Sequence, residues 1–237
     1  MGNNPSGHAT MNPAIAGARN YYRWLYRVLR PRLGAKILEI GPGWGQMAEL
    51  LVADGREYRA VDTDAGVIEN LRKKDPGAAE NFICGDITAA ETAGKVPPGG
   101  ADTVLLMNVL EHVQDDAAFL RKIRARFPGC RVVLQLPALP ALYGRMDREA
   151  GHFRRYTAES AKAALLAAGY VPEEVFYFNF IGAITWFFSS RVANLPLGTE
   201  GTGRFITLND RFVIPLSFIF EPFTRKVAGQ SVIAVGR

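Results

Sequence analysis

Along the first 136 residues, apolar positions follow two alternating patterns. Short apolar runs that are typical of buried strands lie at 36–40, 58–61, 81–84, 103–107 and 131–136. Between them, apolar residues at helical spacing predict helices over about 44–53, 65–74 and 116–127. Strands that alternate with helices in this way indicate an α/β fold, with a mostly parallel sheet and helices on both of its faces.

The flanking segments extend this pattern. Apolar and aromatic residues at helical spacing predict an N-terminal amphipathic helix over 14–33. After residue 137 a loop rich in Pro and Gly is expected as far as residue 156. A helix over about 158–168 and two further strands, at 174–179 and 231–235, complete a predicted sheet of seven strands.

The predicted organisation is a leader and N-terminal helix at 1–33, followed by one domain at 34–237. Within that domain, about 180–228 is a segment that a minimal α/β sheet does not need, rich in Phe and Ile and interrupted by Pro. We call it the insertion. A segment of this length in a compact domain is usually a lid or a binding element, so we expect a helical lid or a dimer surface.

Composition narrows the class of protein. A hydrophobic content of 48% excludes general disorder, and 28 basic against 23 acidic residues, interspersed along the chain, favour an anionic partner without naming one. The polar start lacks the apolar stretch of a signal peptide, and the apolar run at 175–189 is too short to span a membrane. Cys84 and Cys130 are read as buried reduced thiols, which predicts a cytoplasmic protein.

A glycine-rich turn follows the first strand. Segment 37–46 reads Ile-Leu-Glu-Ile-Gly-Pro-Gly-Trp-Gly-Gln, a buried strand that runs into a turn and opens a helix. Glycines there let the backbone approach a nucleoside closely. A dinucleotide fingerprint would need glycine at position 46, where this chain has Gln46, so a dehydrogenase is disfavoured.

This turn, with Glu39 on the strand, resembles the first motif of the class I S-adenosylmethionine-dependent methyltransferases, whose sheet is Rossmann-like. Segments in the same order resemble the later motifs: Ala-Val-Asp at 60–62, Gly-Asp-Ile at 85–87 and Asn-Val-Leu-Glu-His-Val at 108–113. The resemblance implies that S-adenosyl-L-methionine is the cofactor and S-adenosyl-L-homocysteine the product. It places the cofactor against Glu39, Gly41, Gly43, Gly45, Asp62, Asp86, Ile87, Asn108 and Val109.

The same resemblance excludes one class of acceptor. Enzymes that methylate exocyclic amines of nucleic acid bases carry an Asn/Asp-Pro-Pro-aromatic turn after the fourth strand, and this chain has none. We therefore expect no nucleic acid partner. No ligand set for a metal is expected either.

The candidate acceptor site is a charged loop after the fifth strand. Segment 146–157 concentrates His152, Arg154, Arg155 and Tyr156 at the sheet edge where open α/β sheets place ligands. The functional interpretation gives His152 the role of base or hydrogen-bond donor, an arginine the role of oxyanion clamp and Tyr156 an orienting role. The alternative is a solvated charged loop in which Arg154 or Arg155 caps a helix or pairs with Asp147.

Three further side chains enter the prediction. His112, beside the cofactor motif, is the rival base. A Gly-His-x-Arg-Arg-Tyr segment also resembles a bacterial subset of these enzymes whose N-terminal helix carries Asn-Tyr, here Asn20 and Tyr21, and folds over the cofactor mouth. Tyr21 and Tyr22 are accordingly candidate acceptor contacts, although an aromatic stripe on a helix is also typical of core.

The sequence therefore predicts a methyltransferase, monomeric or homodimeric, that O-methylates a small anionic metabolite such as a carboxylate, phosphonate or phosphate in specialised biosynthesis. The alternative is a lipid-linked or quinone-type acceptor at a membrane surface, for which the apolar insertion would form the contact. A module that binds the cofactor without turnover is a further rival.

Overall fold

The computed structural model describes residues 12–193, 196 and 199–237, and within them seven strands form one sheet. The strands are β1 (Lys36–Ile40), β2 (Glu57–Asp62), β3 (Phe82–Cys84), β4 (Thr103–Met107), β5 (Arg131–Pro137), β6 (Pro172–Phe178) and β7 (Ser231–Gly236). Their order is β3-β2-β1-β4-β5-β7-β6, and β7 is antiparallel to both of its neighbours. The predicted seven-stranded, mostly parallel sheet is confirmed.

Helices cover both faces of the sheet. Those in the described residues are α1 (Arg19–Leu29), α2 (Gln46–Ala53), α3 (Ala65–Lys74), α4 (Ala90–Gly94), α5 (Asp116–Arg126), α6 (Arg145–Glu149), α7 (Ala158–Ala167), α8 (Phe180–Phe187), α9 (Glu200–Leu208) and α10 (Ile214–Thr224). Because successive strand residues point to opposite faces, Ile37 joins one buried cluster and Leu38 the other. Because helices cover both faces of the sheet, its strands appear in the sequence as continuous apolar runs.

The N-terminal helix is shorter than predicted. Instead of one helix over 14–33, the chain forms a 3₁₀ helix at Pro13–Gly17, then α1, then a 3₁₀ turn at Arg30–Arg32. The break falls at Ala18, whose ψ of 59° is not helical. Apolar spacing continues across such a break, so the pattern could not reveal it. Residues 1–11 of the predicted leader lie outside the described residues.

Two other expectations need correction. The predicted loop after β5 contains α6, a helix of five residues, and α4 was not predicted at all. Helices this short span little more than one turn and leave almost no periodic signal. Cys84 and Cys130 are free thiols, but both are half-buried rather than buried, since Cys84 ends β3 and Cys130 precedes β5.

The insertion is helical, as predicted. It comprises α8, α9 and α10, joined in part by π-helical turns at Phe188–Val192 and Asn209–Val213. None of the helices in the described ranges combines the length and apolar character needed to cross a membrane.

Candidate functional site

A cavity of about 490 Å³ opens at the carboxyl ends of β1, β2 and β4. Four parts of the chain line it: the strand ends, the N-terminal segment, loop 146–155 and the insertion. This is the edge at which open α/β sheets bind ligands, because the connections diverge there and leave a crevice.

The glycine-rich turn that follows β1 forms part of the cavity floor. Gly41 and Gly43 line the cavity with φ values of 72° and 56°, a region that side chains disfavour. A Cβ atom at Gly41 would lie 2.5 Å from Cγ2 of Val109. Gly45 is not among the cavity-lining residues; it precedes α2 with φ of 81°, and a Cβ atom there would lie 2.5 Å from Cδ2 of Leu71.

Glu39 lies beneath this turn rather than in the cavity wall. Its side chain is fully buried and accepts a hydrogen bond from the Tyr58 hydroxyl. Oε1 has no hydrogen-bond partner among the described residues. Burial raises the pKa of Glu39 to about 7, and the Tyr58 hydrogen bond only partly opposes this.

The remaining candidate cofactor residues all line the cavity: Asp62, Asp86, Ile87, Asn108 and Val109. Asp62 Oδ1 accepts a hydrogen bond from the backbone N–H of Asp64 at 2.8 Å, which fixes its carboxylate at the end of β2. Asp64 itself caps α3, as expected, by accepting from the N–H of Gly66. The structure thus brings these motifs, well separated in sequence, to one surface.

Hydrogen bonds within its own turn fix the Asp86 carboxylate. Its carboxylate accepts hydrogen bonds from the backbone N–H of Thr88 at 2.8 Å and from the Thr88 hydroxyl at 3.0 Å. The neighbouring Ile87 is buried yet borders the cavity. An apolar side chain next to a fixed carboxylate suits a heteroaromatic ring that carries an amino group.

Only two of the four acceptor candidates on loop 146–157 line the cavity, namely His152 and Arg155. Arg155 is buried, pairs with Asp147 Oδ1 at 2.8 Å and donates to the Ala138 carbonyl at 3.0 Å. Its guanidinium carbon lies 4.8 Å from the ring centre of Trp186. Arg155 therefore ties the loop to β5 and to the insertion.

Arg154 and Tyr156 do not line the cavity, so their contact with an acceptor stays a prediction. Arg154 Nη1 pairs with Asp116 Oδ2 at 3.0 Å, and the Tyr156 hydroxyl donates to the same oxygen at 2.9 Å. Because the segment is extended, neighbouring side chains point in opposite directions. Tyr156 consequently packs in the core beneath α5.

The two candidate bases lie side by side. The rings of His112 and His152 are 4.7 Å apart at an interplanar angle of 84°, and both line the cavity. His152 Nδ1 lies 2.9 Å from Asp147 Oδ1. Burial and the proximity of His152 lower the pKa of His112 to about 4, so His112 is neutral at physiological pH.

Tyr21 and Tyr22 also line the cavity. Gln135 Nε2 donates to the Tyr21 hydroxyl at 3.1 Å and to Ser231 Oγ at 2.8 Å. Burial raises the pKa of Tyr21 to about 12. Gln135 was not predicted as a site residue, although a lone polar residue within the apolar strand 131–136 was a signal for it.

The N-terminal segment and the insertion close over the cavity together. The insertion supplies the apolar wall, with Trp186, Phe205, Ile206 and Ile214. Asp210 accepts hydrogen bonds from the backbone N–H of Asn20 at 3.2 Å and of Tyr21 at 2.8 Å, and so caps the start of α1.

Comparison with known proteins agrees with this arrangement. A profile of the methyltransferase domain family matches residues 16–175. A Mycobacterium tuberculosis protein named a probable S-adenosylmethionine-dependent methyltransferase is 27% identical over 190 residues, covering 72% of this chain and 67% of that protein. A ubiquinone biosynthesis O-methyltransferase of Cupriavidus pinatubonensis is 32% identical over 90 residues, covering 37% of this chain and 35% of that one.

Among solved structures, an S-adenosylmethionine-dependent methyltransferase from Mesorhizobium loti superposes with a TM-score of 0.59 at 14% identity. The match covers 91% of this chain and 97% of that one, which shows a shared fold. The family profile spans more than half of the chain, and its glycine turn, strand-end carboxylates and cavity occur together here. The chain therefore belongs to the class I S-adenosylmethionine-dependent methyltransferases.

Proposed function

We propose that this methyltransferase transfers the methyl group of S-adenosylmethionine to a hydroxyl oxygen of an apolar acceptor. The observation that carries the proposal is the lining of the cavity away from the strand ends. Aromatic and aliphatic side chains dominate there, among them Tyr22, Trp186, Phe205, Ile206 and Ile214. An acceptor that gains affinity from burial in such a wall is itself largely apolar.

Arg154 and Arg155 favoured a small anionic acceptor in the sequence. In the structure they give this acceptor less support, because both are already paired within the protein. Arg155 is committed to the Asp147 carboxylate and the Ala138 carbonyl, and Arg154 to Asp116. A guanidinium already paired with a buried carboxylate gains little from a second anion, because its charge is largely compensated.

Oxygen as the methylated atom is supported by the imidazole pair. A hydroxyl must lose its proton as it attacks the methyl carbon, and the imidazoles of His112 and His152 lie at the cavity wall, where they can assist that loss as a base or by holding a cation. The matched Cupriavidus pinatubonensis protein is named an O-methyltransferase, which is consistent with this choice.

The outer surface of the insertion fits an acceptor of low water solubility. It exposes large apolar side chains, with Phe223 at 81%, Ile219 at 63% and Phe212 at 59% of their full area. Large contiguous apolar patches on monomeric proteins usually mark an interaction site. We infer that this surface rests on a membrane from which the acceptor is taken. Specialised biosynthesis and a cytoplasmic location stay predictions.

The test compares two acceptors that share one phenolic ring, the first with a long alkyl or prenyl chain and the second with a carboxylate. Formation of S-adenosylhomocysteine is measured for each. We expect kcat/KM for the alkylated phenol to exceed that for the carboxylate at least tenfold, on the order of 1.4 kcal/mol in transition-state binding. Equal or higher kcat/KM for the carboxylate would contradict the proposal and favour an anionic acceptor.

A further inference from the structure

Three side chains with metal-binding atoms meet at the wall of the cavity. Glu111, His112 and His152 each place one ligand atom within 4.8 Å of the others. His152 Nε2 lies 3.9 Å from Glu111 Oε1, and the two imidazole rings are in edge contact. Glu111 and His112 share a short 3₁₀ turn after β4, whereas His152 comes from the loop after α6. Two separate parts of the chain therefore build the cluster.

The environment of Glu111 is what indicates a cation at this cluster. The side chain is fully buried, and neither carboxylate oxygen has a hydrogen-bond partner among the described residues. His112 Nδ1 likewise has none. A buried carboxylate without partners costs several kcal/mol, so proteins keep one where a cation or another partner compensates for it.

His152 is oriented as a ligand. Its Nδ1 lies 2.9 Å from Asp147 Oδ1, which fixes the proton on Nδ1 and leaves the lone pair of Nε2 directed toward Glu111. Asp147 is itself held by Arg155 and by the backbone N–H of Gly144. A carboxylate behind a histidine in this way is the usual outer support of a metal-bound imidazole.

We propose that Glu111, His112 and His152 bind one divalent transition-metal ion at the wall of the cavity. Two imidazoles and one carboxylate are a known ligand set of catalytic zinc sites, which keep a further position open. Donor atoms around one zinc ion lie about 3.4 Å apart, so binding draws these side chains together by roughly 1 Å. Because His112 and His152 line the cavity, an ion held between them would be accessible from the cavity.

A bound ion would supply Lewis-acid chemistry by lowering the pKa of the acceptor hydroxyl. The hydroxyl would then lose its proton to solvent, its oxygen would form the bond to the methyl carbon, and the electrons of the broken carbon–sulfur bond would remain on sulfur. This role in the reaction rests on the proposed O-methylation. The binding of the ion does not, since it follows from the three side chains alone.

The test is calorimetric titration of the chelator-treated protein with Zn²⁺ and, separately, Mn²⁺. We expect one ion per chain at micromolar Kd or tighter for at least one metal, with a rise in Tm. Glu111→Gln and His152→Asn should each weaken binding at least tenfold, while His8→Asn, which removes the third histidine of the sequence, should not.

Each variant is also titrated with S-adenosylmethionine. Cofactor binding retained in Glu111→Gln shows that the fold is intact, so loss of the ion is then assigned to the ligand set. No binding of either metal, or binding that both variants leave unchanged, would overturn the proposal. Because neither titration contains an acceptor, failure of the acceptor proposal leaves this result unaffected.

Discussion

The Asp147 carboxylate shows how single side chains organise the acceptor side of the site. It contacts His152 Nδ1 at 2.9 Å and Arg155 Nε at 2.8 Å, and it is fully buried. Sequence placed Arg154 and Arg155 together as one candidate clamp. Arg155 pairs with Asp147, as the alternative interpretation of the loop expected, whereas the pairing of Arg154 with Asp116 depends on long-range packing that adjacency along the chain does not encode.

Removing the Asp147 charge should therefore cost more stability than removing the Asp116 charge. Asp147→Asn leaves the buried Arg155 uncompensated, and we expect a loss of about 3–5 kcal/mol in the free energy of unfolding. Asp116→Asn breaks a partly exposed pair and should cost about 1 kcal/mol. Urea unfolding measures both, and equal losses would show that Arg155 has other compensation.

The raised pKa of Glu39 predicts that the free energy of unfolding depends on pH. Its folded-state pKa of about 7 exceeds the usual glutamate value of 4.5, so the folded state binds the proton more tightly and unfolding becomes easier as pH rises from 4.5 to 7. Glu39→Gln removes this effect. Between pH 5 and pH 8, unfolding free energy of the variant relative to wild type should increase by up to about 3 kcal/mol. A difference that does not change with pH contradicts the assignment.

Asp62 is expected to bind the cofactor ribose. Asp62→Asn should raise the Kd for S-adenosylmethionine at least tenfold, since the amide has one accepting oxygen and no charge where the carboxylate has two accepting oxygens and a negative charge. Asp64→Asn is the matched control, because Asp64 caps α3 and asparagine caps equally well. Calorimetric titration decides the question, and equal Kd values for both variants would remove Asp62 from the cofactor site.

At the scale of elements, α1 and the insertion depend on each other. The first residues of α1 have no side-chain cap from their own segment, and Asp210 supplies it from 190 residues away. Trp24 on α1 packs between Phe178 and Phe218, with ring centres 4.3 and 4.8 Å away. The sequence predicted both elements, but the capping carboxylate could not be assigned to α1 from local pattern.

Asp210→Ala should loosen this contact without unfolding the sheet. We expect a loss of about 1 kcal/mol, the usual value of a helix N-cap, together with faster amide exchange in α1 and α9. Hydrogen exchange with mass spectrometry resolves the segments. Glu200→Ala, an exposed acidic residue in the first turn of α9, is the control. Unchanged exchange in α1 would show that Asp210 does not hold the two elements together.

Element prediction succeeded where apolar runs are long and failed where they are short. The boundaries of α3 match those predicted, because ten residues carry several turns of amphipathic pattern. By contrast, α4 and α6 have five residues each, and the break at Ala18 is a backbone feature that leaves the apolar spacing unchanged. The cofactor motifs were readable because each lies at a strand end.

At the scale of the whole molecule, the insertion has an apolar outer face, which we proposed above as the contact with a membrane. Exposed side chains on α8 to α10 include Phe187, Phe188, Leu216, Phe220 and Phe223. Sequence predicted an apolar insertion but could not separate its inner from its outer face. The separation follows from how α8, α9 and α10 pack above the cavity.

This face should bind lipid. We expect the protein to float with vesicles of phosphatidylcholine and phosphatidylglycerol, and Ile219→Ser combined with Phe223→Ser to reduce the floated fraction at least threefold, since two largely exposed apolar side chains are lost. Val171→Ser, an equally exposed apolar residue outside the insertion, is the control. Flotation that is absent in the wild type, or equal in all variants, contradicts membrane contact.

The position of β7 has a consequence for synthesis on the ribosome. β6 pairs with β7 and not with β5, so its place in the sheet depends on a strand that follows it only after the whole insertion. At a translation rate of about 5–20 residues per second, β6 and the free edge of β5 wait several seconds for β7. During that interval both strands are open to wrong pairing. Nascent chains of this enzyme should thus be clients of ribosome-associated chaperones until β7 emerges from the exit tunnel.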